Sequence, residues 1–458
     1  MSSPPSEDIK MSSPPPPEDI QMSSPEDEAT DSDVKTFGSL LNIPENSLVA
    51  LAIDIRARRL NTASSSGRRI GRIIGSRNLV HIIQLDDDFK LIIRVPAADK
   101  DGLNQTAAKA MESQKATLRL IATTTRGWVP VPEVYEFDAT KDNTIGAPYI
   151  CMRFLPGLKV SEVWKEASED VRLKILTSVA QSMAQLKELR AHQIGSLQMD
   201  DKWHVTTGPC YHYKQQEDGS TSTIESGGPF DTIKSYLLHY FQWPKNTAGE
   251  LDKGPEARAA ISVISMALQK FHLHHHEKEP SEKFMFGLAP PGFDSQNIMV
   301  DDQGNLTGVL DWDLVRVLPR CVGYIRYPGW ITRDWNPLAS DSENWPDADE
   351  LEREELERYR KHYNQALGDA LYRSKDWKLN KNSHIWEAIW IAALHSVHRF
   401  KICCKLVKEV EDLYRRGTCD DMNAARQIML EIRNASSLAD WTEVREDLAL
   451  FFASHQPY

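Results

Sequence analysis

Cysteine is scarce. The 458 residues hold six, at Cys151, Cys210, Cys321, Cys403, Cys404 and Cys419, and none is spaced as a CxxC pair. That pattern excludes a disulfide framework and a zinc-ribbon site, and it reads as reduced thiols of a cytoplasmic protein. A basic excess is also missing: Asp and Glu number 66 against 54 Lys and Arg, a net charge of -12. Nucleic acid and anionic membrane are therefore not expected as main partners. Long apolar runs are absent. The longest, from Ile385 to Leu394, is interrupted by Glu387 and is too short to span a bilayer. The first residues lack the charged-then-apolar pattern of a signal peptide. No HExxH motif occurs, and no nucleophile triad stands out. The cluster His272, His274, His275 and His276 reads better as a solvated helix end than as a metal site.

What is present is a globular composition, 41% hydrophobic and 26% charged, enough for two lobes and a tail. Residues 1–36 form the tail. MSSP recurs at Met1, Met11 and Met22, and nine acids face two lysines, so seven of the net negative charges sit here. Such a segment buries too little to offset its ordering entropy and is expected to be disordered. Ser3, Ser13 and Ser24 each precede proline and are candidate phosphorylation sites, although a solubilising tail is the simpler reading.

From Phe37 the pattern turns periodic. Ser47 to Leu60 has the spacing of an amphipathic helix. Gly67 to Pro96 reads strand, glycine turn, strand, acidic turn, strand, with runs apolar on both faces. A helix over 104–122 and strands near 129–135 and 148–154 complete a small α+β lobe, expected over 37–155. Pro156-Gly157 then breaks the chain. The remainder, 156–458, reads as mainly helical, with helices expected at 173–189, 257–276, 350–371, 383–409 and 421–434 and a loop over 201–228. In the first glycine turn, Gly75 and Ser76 offer backbone N–H groups to an anion, although most such turns only reverse the chain.

The stretch from Phe286 to Asp313 carries the chemistry. Ile298-Met299-Val300 and Leu306 to Leu310 flank an Asp/Gln/Gly/Asn turn, a hairpin signature. It sets Asn297 at the start of one strand and Asp311 at the end of the next, an amide oxygen and a carboxylate suited to Mg²⁺ on nucleotide phosphates. Taken alone, the pair reads better as an ordinary surface hairpin with turn polars. Trp330, Trp335 and Trp345, with Arg326 and Arg333, read as packing residues after it, or as lining of an acceptor pocket.

Several segments fall in an order that resembles the fungal branch of the aminoglycoside phosphotransferase family. They are GSRNLV at Gly75, LIIRVP at Leu91, ESQKATLRLI at Glu112, PVPEVYEF, GAPYICMRFLPG, LAPPGFDSQNIMVDDQGNLTGVLDWD and PRCVGYIRYPGWITRDWNP. The similarity covers roughly residues 40–400. It implies a protein-kinase-like two-lobe α+β fold, with a small antiparallel sheet and a mainly helical second lobe. It also implies ATP and Mg²⁺ as cofactors and a small hydroxylated substrate. Arg94 then stands for the phosphate-binding cation, Gln114 for the helix carboxylate that usually pairs with it, and Asn297 and Asp311 for the metal ligands. The adenine would contact hinge backbone near Met152 to Leu155.

The catalytic loop departs from this pattern. The family carries His-x-Asp, with the metal-binding Asn five residues after the Asp; here those positions are Pro290 and Gly292. The missing aspartate orients the acceptor hydroxyl and takes its proton, and loss of a general base costs about 10²–10⁴ in rate. Three readings follow. One is an impaired phosphotransferase that still binds nucleotide. Another is an active kinase that uses Asp294 as substitute base or a substrate-assisted proton transfer. The third is a protein-interaction scaffold without nucleotide.

Overall fold

In a computed structural model the chain is described over residues 29–97, 103–200, 202–214, 223–240, 255–277, 286–338, 352–372, 374–414, 422–434 and 438–455, the side chains of 255, 270–277, 396 and 431–444 excepted. Helix α1 (Asp31–Phe37) is closed by a capping box between Thr30 and Asp33. It corrects the disorder expected through residue 36. The acids of the tail here serve an N-terminus, where carboxylates meet unpaired N–H groups and the positive end of the helix dipole. Residues 1–28 lie outside the described residues.

Helix α2 (Glu45–Leu60) buries Leu48, Leu51, Ala52 and Ile55. They pack on Leu79, Ile83, Leu91 and Ile93 of a five-stranded sheet. Its strands are β1 (Gly67–Ile74), β2 (Asn78–Leu85), β3 (Lys90–Pro96), β4 (Val134–Asp138) and β5 (Tyr149–Arg153), with α3 (Gln105–Thr124) between β3 and β4. Their order is β1-β2-β3-β5-β4, antiparallel throughout. Ile and Val dominate β2 and β3 because β-branched side chains suit a pleated, buried surface. This is the small α+β lobe that the sequence implies. Helix α3 also belongs to the other lobe: Leu118, Leu120 and Ile121 join the large core, and the Ser113 hydroxyl donates to Leu197 O at 2.8 Å.

Gly157 has φ +123°, and a Cβ there would meet Val300 O at 2.7 Å. Only glycine suits this point. The next strand, β6 (Leu158–Lys159), pairs with Met299 and Val300, so the chain leaving the sheet runs directly along the hairpin.

The larger lobe continues with α4 (Val160–Val163), α5 (Glu169–Gln185), β7 (Arg190–Ala191), β8 (Ser196–Met199), β9 (Val205–Gly208), β10 (Cys210–Lys214), β11 (Thr223–Gly227), α6 (Ile233–Tyr240) and α7 (Pro255–Glu277). After β12 (Phe286–Ala289), β13 (Ile298–Val300), β14 (Leu306–Val309) and β15 (Arg316–Pro319) come α8 (Arg353–Ala370), α9 (Trp377–Asn380), α10 (Ser383–Leu394), α11 (Ser396–Tyr414), α12 (Met422–Asn434) and α13 (Leu438–Ser454). The segment expected as loop over 201–228 holds three strands: β9, which pairs antiparallel with the preceding β8, and β10 and β11, which pair with each other. The helix expected over 383–409 is two, separated at His395, whose backbone is extended. The fold is thus a two-lobed α+β architecture, a small lobe built on an antiparallel sheet and a larger, mainly helical one. No helix among the described residues is long and apolar enough to cross a membrane. The five described cysteines are in no disulfide among the described residues, and all are buried.

Candidate phosphotransfer cleft

The hairpin β13–β14 forms because its turn is fully supplied with partners. The Asp301 carboxylate accepts from Gln303 N at 3.0 Å and Asn305 N at 2.8 Å, and Gly304 takes φ +80°. From outside, Ser178 Oγ accepts Leu306 N at 2.8 Å, Pro130 O accepts Val309 N at 2.8 Å and Asn297 O accepts Leu310 N at 2.8 Å. Trp312, fully buried, donates its indole N–H to Val309 O at 2.8 Å. The two ends of the hairpin are held together, and Asn297 and Asp311 with them.

Asp311 has φ +54°, a left-handed conformation that costs a non-glycine residue about 1–3 kcal/mol and tends to occur at functional sites. Its carboxyl pKa is pushed up by burial and then by Asp313, with Arg94 opposing. Gly292, where the resemblance places the base, also lies in the left-handed region at φ +47°. A Cβ built on it would stand 2.8 Å from Asn297 Nδ2 and 3.8 Å from Asp311 Oδ2. The missing side chain would therefore enter the space that the amide and the carboxylate border. The Asn297 amide nitrogen there donates to Gly292 O at 2.9 Å; its amide oxygen, with the Asp311 carboxylate, is the donor type a hard cation completed by phosphate oxygens and water would use. Among the described residues no group of three or more His, Cys, Asp or Glu could hold a metal by itself.

Arg94 reaches the same cleft from β3. Its Nη1 donates to Asp313 Oδ1 at 2.5 Å and its Nη2 to Asp313 Oδ2 at 2.7 Å, a bidentate pair, while Asp311 Oδ1 lies 3.3 Å from Nη2. Burial works against the guanidinium charge, but Asp313 and Asp311 overcome it and raise the Arg94 pKa. Gln114 does not meet Arg94. Its Nε2 donates to Asp313 Oδ1 at 2.8 Å, so Gln114 and Arg94 meet on the same carboxylate. Asn78 Nδ2 at 3.3 Å and the Tyr213 hydroxyl at 3.4 Å complete the shell of Asp313. Glu112 is exposed, as a residue two positions from Gln114 on a helix should be. Asp313, Tyr213 and the Asn78 contact escaped the sequence reading; the only local signal was a second acid two residues after Asp311.

The remaining expected residues are placed as follows. The Gly75 N–H is taken by Asn78 O at 3.0 Å, closing the β1–β2 turn, and Ser76 lines the cavity beside it. Gly75 therefore shapes the turn and does not offer its own N–H to an anion. Asp294 also lines the cavity. Its Oδ1 accepts Ser295 N at 2.7 Å, and its backbone carbonyl accepts Asn297 N at 2.9 Å, so this carboxylate holds the loop. Pro290 is buried, and its carbonyl accepts from Arg326 Nη2 at 2.6 Å. Trp330 and Trp335 are buried, and Trp330 meets Phe293 edge-on with centroids 6.4 Å apart. Trp345 and the side chains of His272, His274, His275 and His276 lie outside the described residues. Cleft and acceptor side merge into one cavity of about 640 Å³.

Arg94 of the small antiparallel sheet, and Asp311 and Asp313 at the end of the hairpin, thus line one cavity. No model of a protein family matches the chain. In sequence it is similar to a clavilactone A biosynthesis cluster protein of Ampulloclitocybe clavipes, 23% identical over 58% of this chain and 66% of that one. It is also similar to a subtelomeric hrmA-associated cluster protein of Aspergillus fumigatus, 28% identical over 47% of this chain and 38% of that one. A third relative is the mitochondrial "altered inheritance of mitochondria protein 9" of Clavispora lusitaniae, 19% identical over 79% and 66%. The matches thus span between 38% and 66% of these relatives' lengths. Among solved structures the chain is similar to the GDP complex of an aminoglycoside 2'-phosphotransferase-IIIa, 13% identical over 90% of this chain and all of that one, TM-score 0.39. It is likewise similar to an apo thermostable mutant of aminoglycoside phosphotransferase APH(4)-Ia, 11% identical over 88% and 98%, TM-score 0.38.

Proposed function

We propose that the chain binds a magnesium nucleotide in this cleft and is impaired as a phosphotransferase toward a small hydroxylated molecule. The observation that carries the reading is the space beside Gly292. Asn297 and Asp311 border it, and its own residue contributes no carboxylate. Asn297 and Asp311 would hold the ion, which supplies charge neutralisation of the transferring phosphoryl group. Arg94 is the cation for the phosphates, once it exchanges Asp313 for them. Positioning and charge stabilisation therefore remain, whereas the group that orients the acceptor hydroxyl and takes its proton is gone. Asp294 is a poor replacement because Ser295 N already holds its carboxylate.

Millimolar Mg-ATP should raise the melting temperature of the full chain. At a ligand concentration 100 times Kd the gain is about 2.7 kcal/mol. Asp311→Ala should abolish the rise, and EDTA should remove most of it from the wild type. A wild type that does not respond to Mg-ATP would favour the scaffold reading.

A further inference from the structure

Of the four arginines lining the cavity, two are paired with acids and a third, Arg77, is exposed. Arg94 is held by Asp313. Arg326 faces Glu387 at 3.4 Å, and Arg77 lies over the Tyr213 ring, 4.1 Å from its centroid. Arg316 is different. It sits on β15 opposite Ala289, immediately before Pro290 and the catalytic loop. Its Nη1 donates to the Tyr236 hydroxyl at 3.2 Å, and among the described residues no carboxylate pairs with it. Its pKa is raised, first by Tyr236 and then by Cys210 and Tyr240, against burial, and none of these groups is a carboxylate.

A half-buried guanidinium whose hydrogen-bond partner is a phenol is costly, and folded proteins normally supply a counter-charge. A second observation points to the same spot. His212, which lines the cavity as Arg316 does, has a buried Nδ1 without a hydrogen-bond partner; its Nε2 lies 3.8 Å from Glu225. The adjoining wall is apolar. Trp390 stacks on Tyr236 with centroids 5.2 Å apart and planes at 13°, and Ile391 lies beside it on α10.

We propose that Arg316 binds the carboxylate of the acceptor, and that the small-molecule ligand of this cleft is a hydroxylated carboxylic acid with an aromatic or alkyl body. Guanidinium and carboxylate match as planar, two-point partners. The body of such an acid covers Trp390, and its hydroxyl is left toward the loop at Gly292. An amine-rich acceptor would instead bring a second cation to Arg316. The assignment of the ligand as acceptor rests on the phosphotransferase-type reading of the cleft.

Three probes of one shape separate the charges: 4-hydroxyphenylacetate, its neutral alcohol 4-hydroxyphenethyl alcohol, and the cationic tyramine. Binding is read by tryptophan fluorescence and by melting temperature, on the full chain, with the Mg-ATP response taken on the same samples. The acid should bind at least about tenfold more tightly than the alcohol or the amine, as befits a hydrogen bond to a charged group. Arg316→Gln should erase that preference, and Arg316→Lys should retain part of it. Equal binding of the three probes, binding of none, or an acid preference that survives Arg316→Gln would overturn the proposal. The Mg-ATP response should persist in Arg316→Gln. Its absence from the wild type, with the acid preference intact, would remove the phosphotransferase reading and leave the carboxylate site standing.

Discussion

Asp313→Asn should lower the melting temperature of the free protein by several degrees and enlarge the rise that Mg-ATP produces. Asp313 accepts two hydrogen bonds from Arg94 and one each from Gln114, Asn78 and Tyr213. Asparagine keeps the shape but removes the charge, and its amide nitrogen faces donors. Arg94 is then left with Asp311 at 3.3 Å. Breaking a fully buried pair costs about 3–5 kcal/mol. Arg94 and Asp313 keep side-chain exposures of 16% and 17%, so roughly 2–4 kcal/mol is expected here. The second effect has the opposite sign. In the wild type, phosphates must take Arg94 from Asp313, and affinity falls by the share of molecules in which it is held. The variant has no such competitor. Differential scanning fluorimetry with and without Mg-ATP measures both effects. An unchanged melting temperature, or an equal nucleotide response in the two proteins, would show that the Arg94–Asp313 pair does not govern the cleft.

Restoring the loop by Pro290→His with Gly292→Asp should raise ATP hydrolysis by about 10²–10⁴, the usual contribution of a general base. The geometry favours the attempt and also shows its cost. A side chain at 292 enters the space beside Asn297 and Asp311, where a base is required. The left-handed backbone there penalises a non-glycine residue by about 1–2 kcal/mol, less for Asp, which tolerates this region. Asn297 Nδ2, which donates to Gly292 O at 2.9 Å, would stand 2.8 Å from the new Cβ and must shift. At position 290 the backbone carbonyl that accepts from Arg326 is retained. Steady-state hydrolysis by the double variant, beside Gly292→Asp alone, is the assay. A double variant that binds Mg-ATP yet stays as slow as the wild type would mean that loss of the base is not the main defect.

Legibility from sequence followed sequence distance. The sheet of the small lobe could be read because Ile and Val runs and acidic or glycine turns are local signals. The hairpin carrying Asn297 and Asp311 was readable for the same reason. The strands β10 and β11 were not. Cys-Tyr-His-Tyr-Lys and Thr-Ile-Glu-Ser-Gly alternate poorly and take their order from each other. The break at His395 has no proline or glycine to announce it. The partner of Arg94 was out of reach as well, since Asp313 lies 219 residues away. Local rules could place Arg94 at the end of a strand and Gln114 on a helix. Only the folded chain shows that both turn to one carboxylate of the opposite lobe. Arg316 illustrates the converse: a lone arginine in a strand gives no sign that its charge will lack an acid.

The most direct test combines occupancy and turnover in one sample. The wild type is mixed with substoichiometric γ-labelled ATP and Mg²⁺, and bound nucleotide and released phosphate are followed together, with Asp311→Ala in parallel. The account predicts that wild type holds the nucleotide largely intact over many seconds, whereas kinases turn over at about 1–100 s⁻¹, and that Asp311→Ala holds none. Phosphate release at kinase-like rates, or equal occupancy in the two proteins, would contradict it.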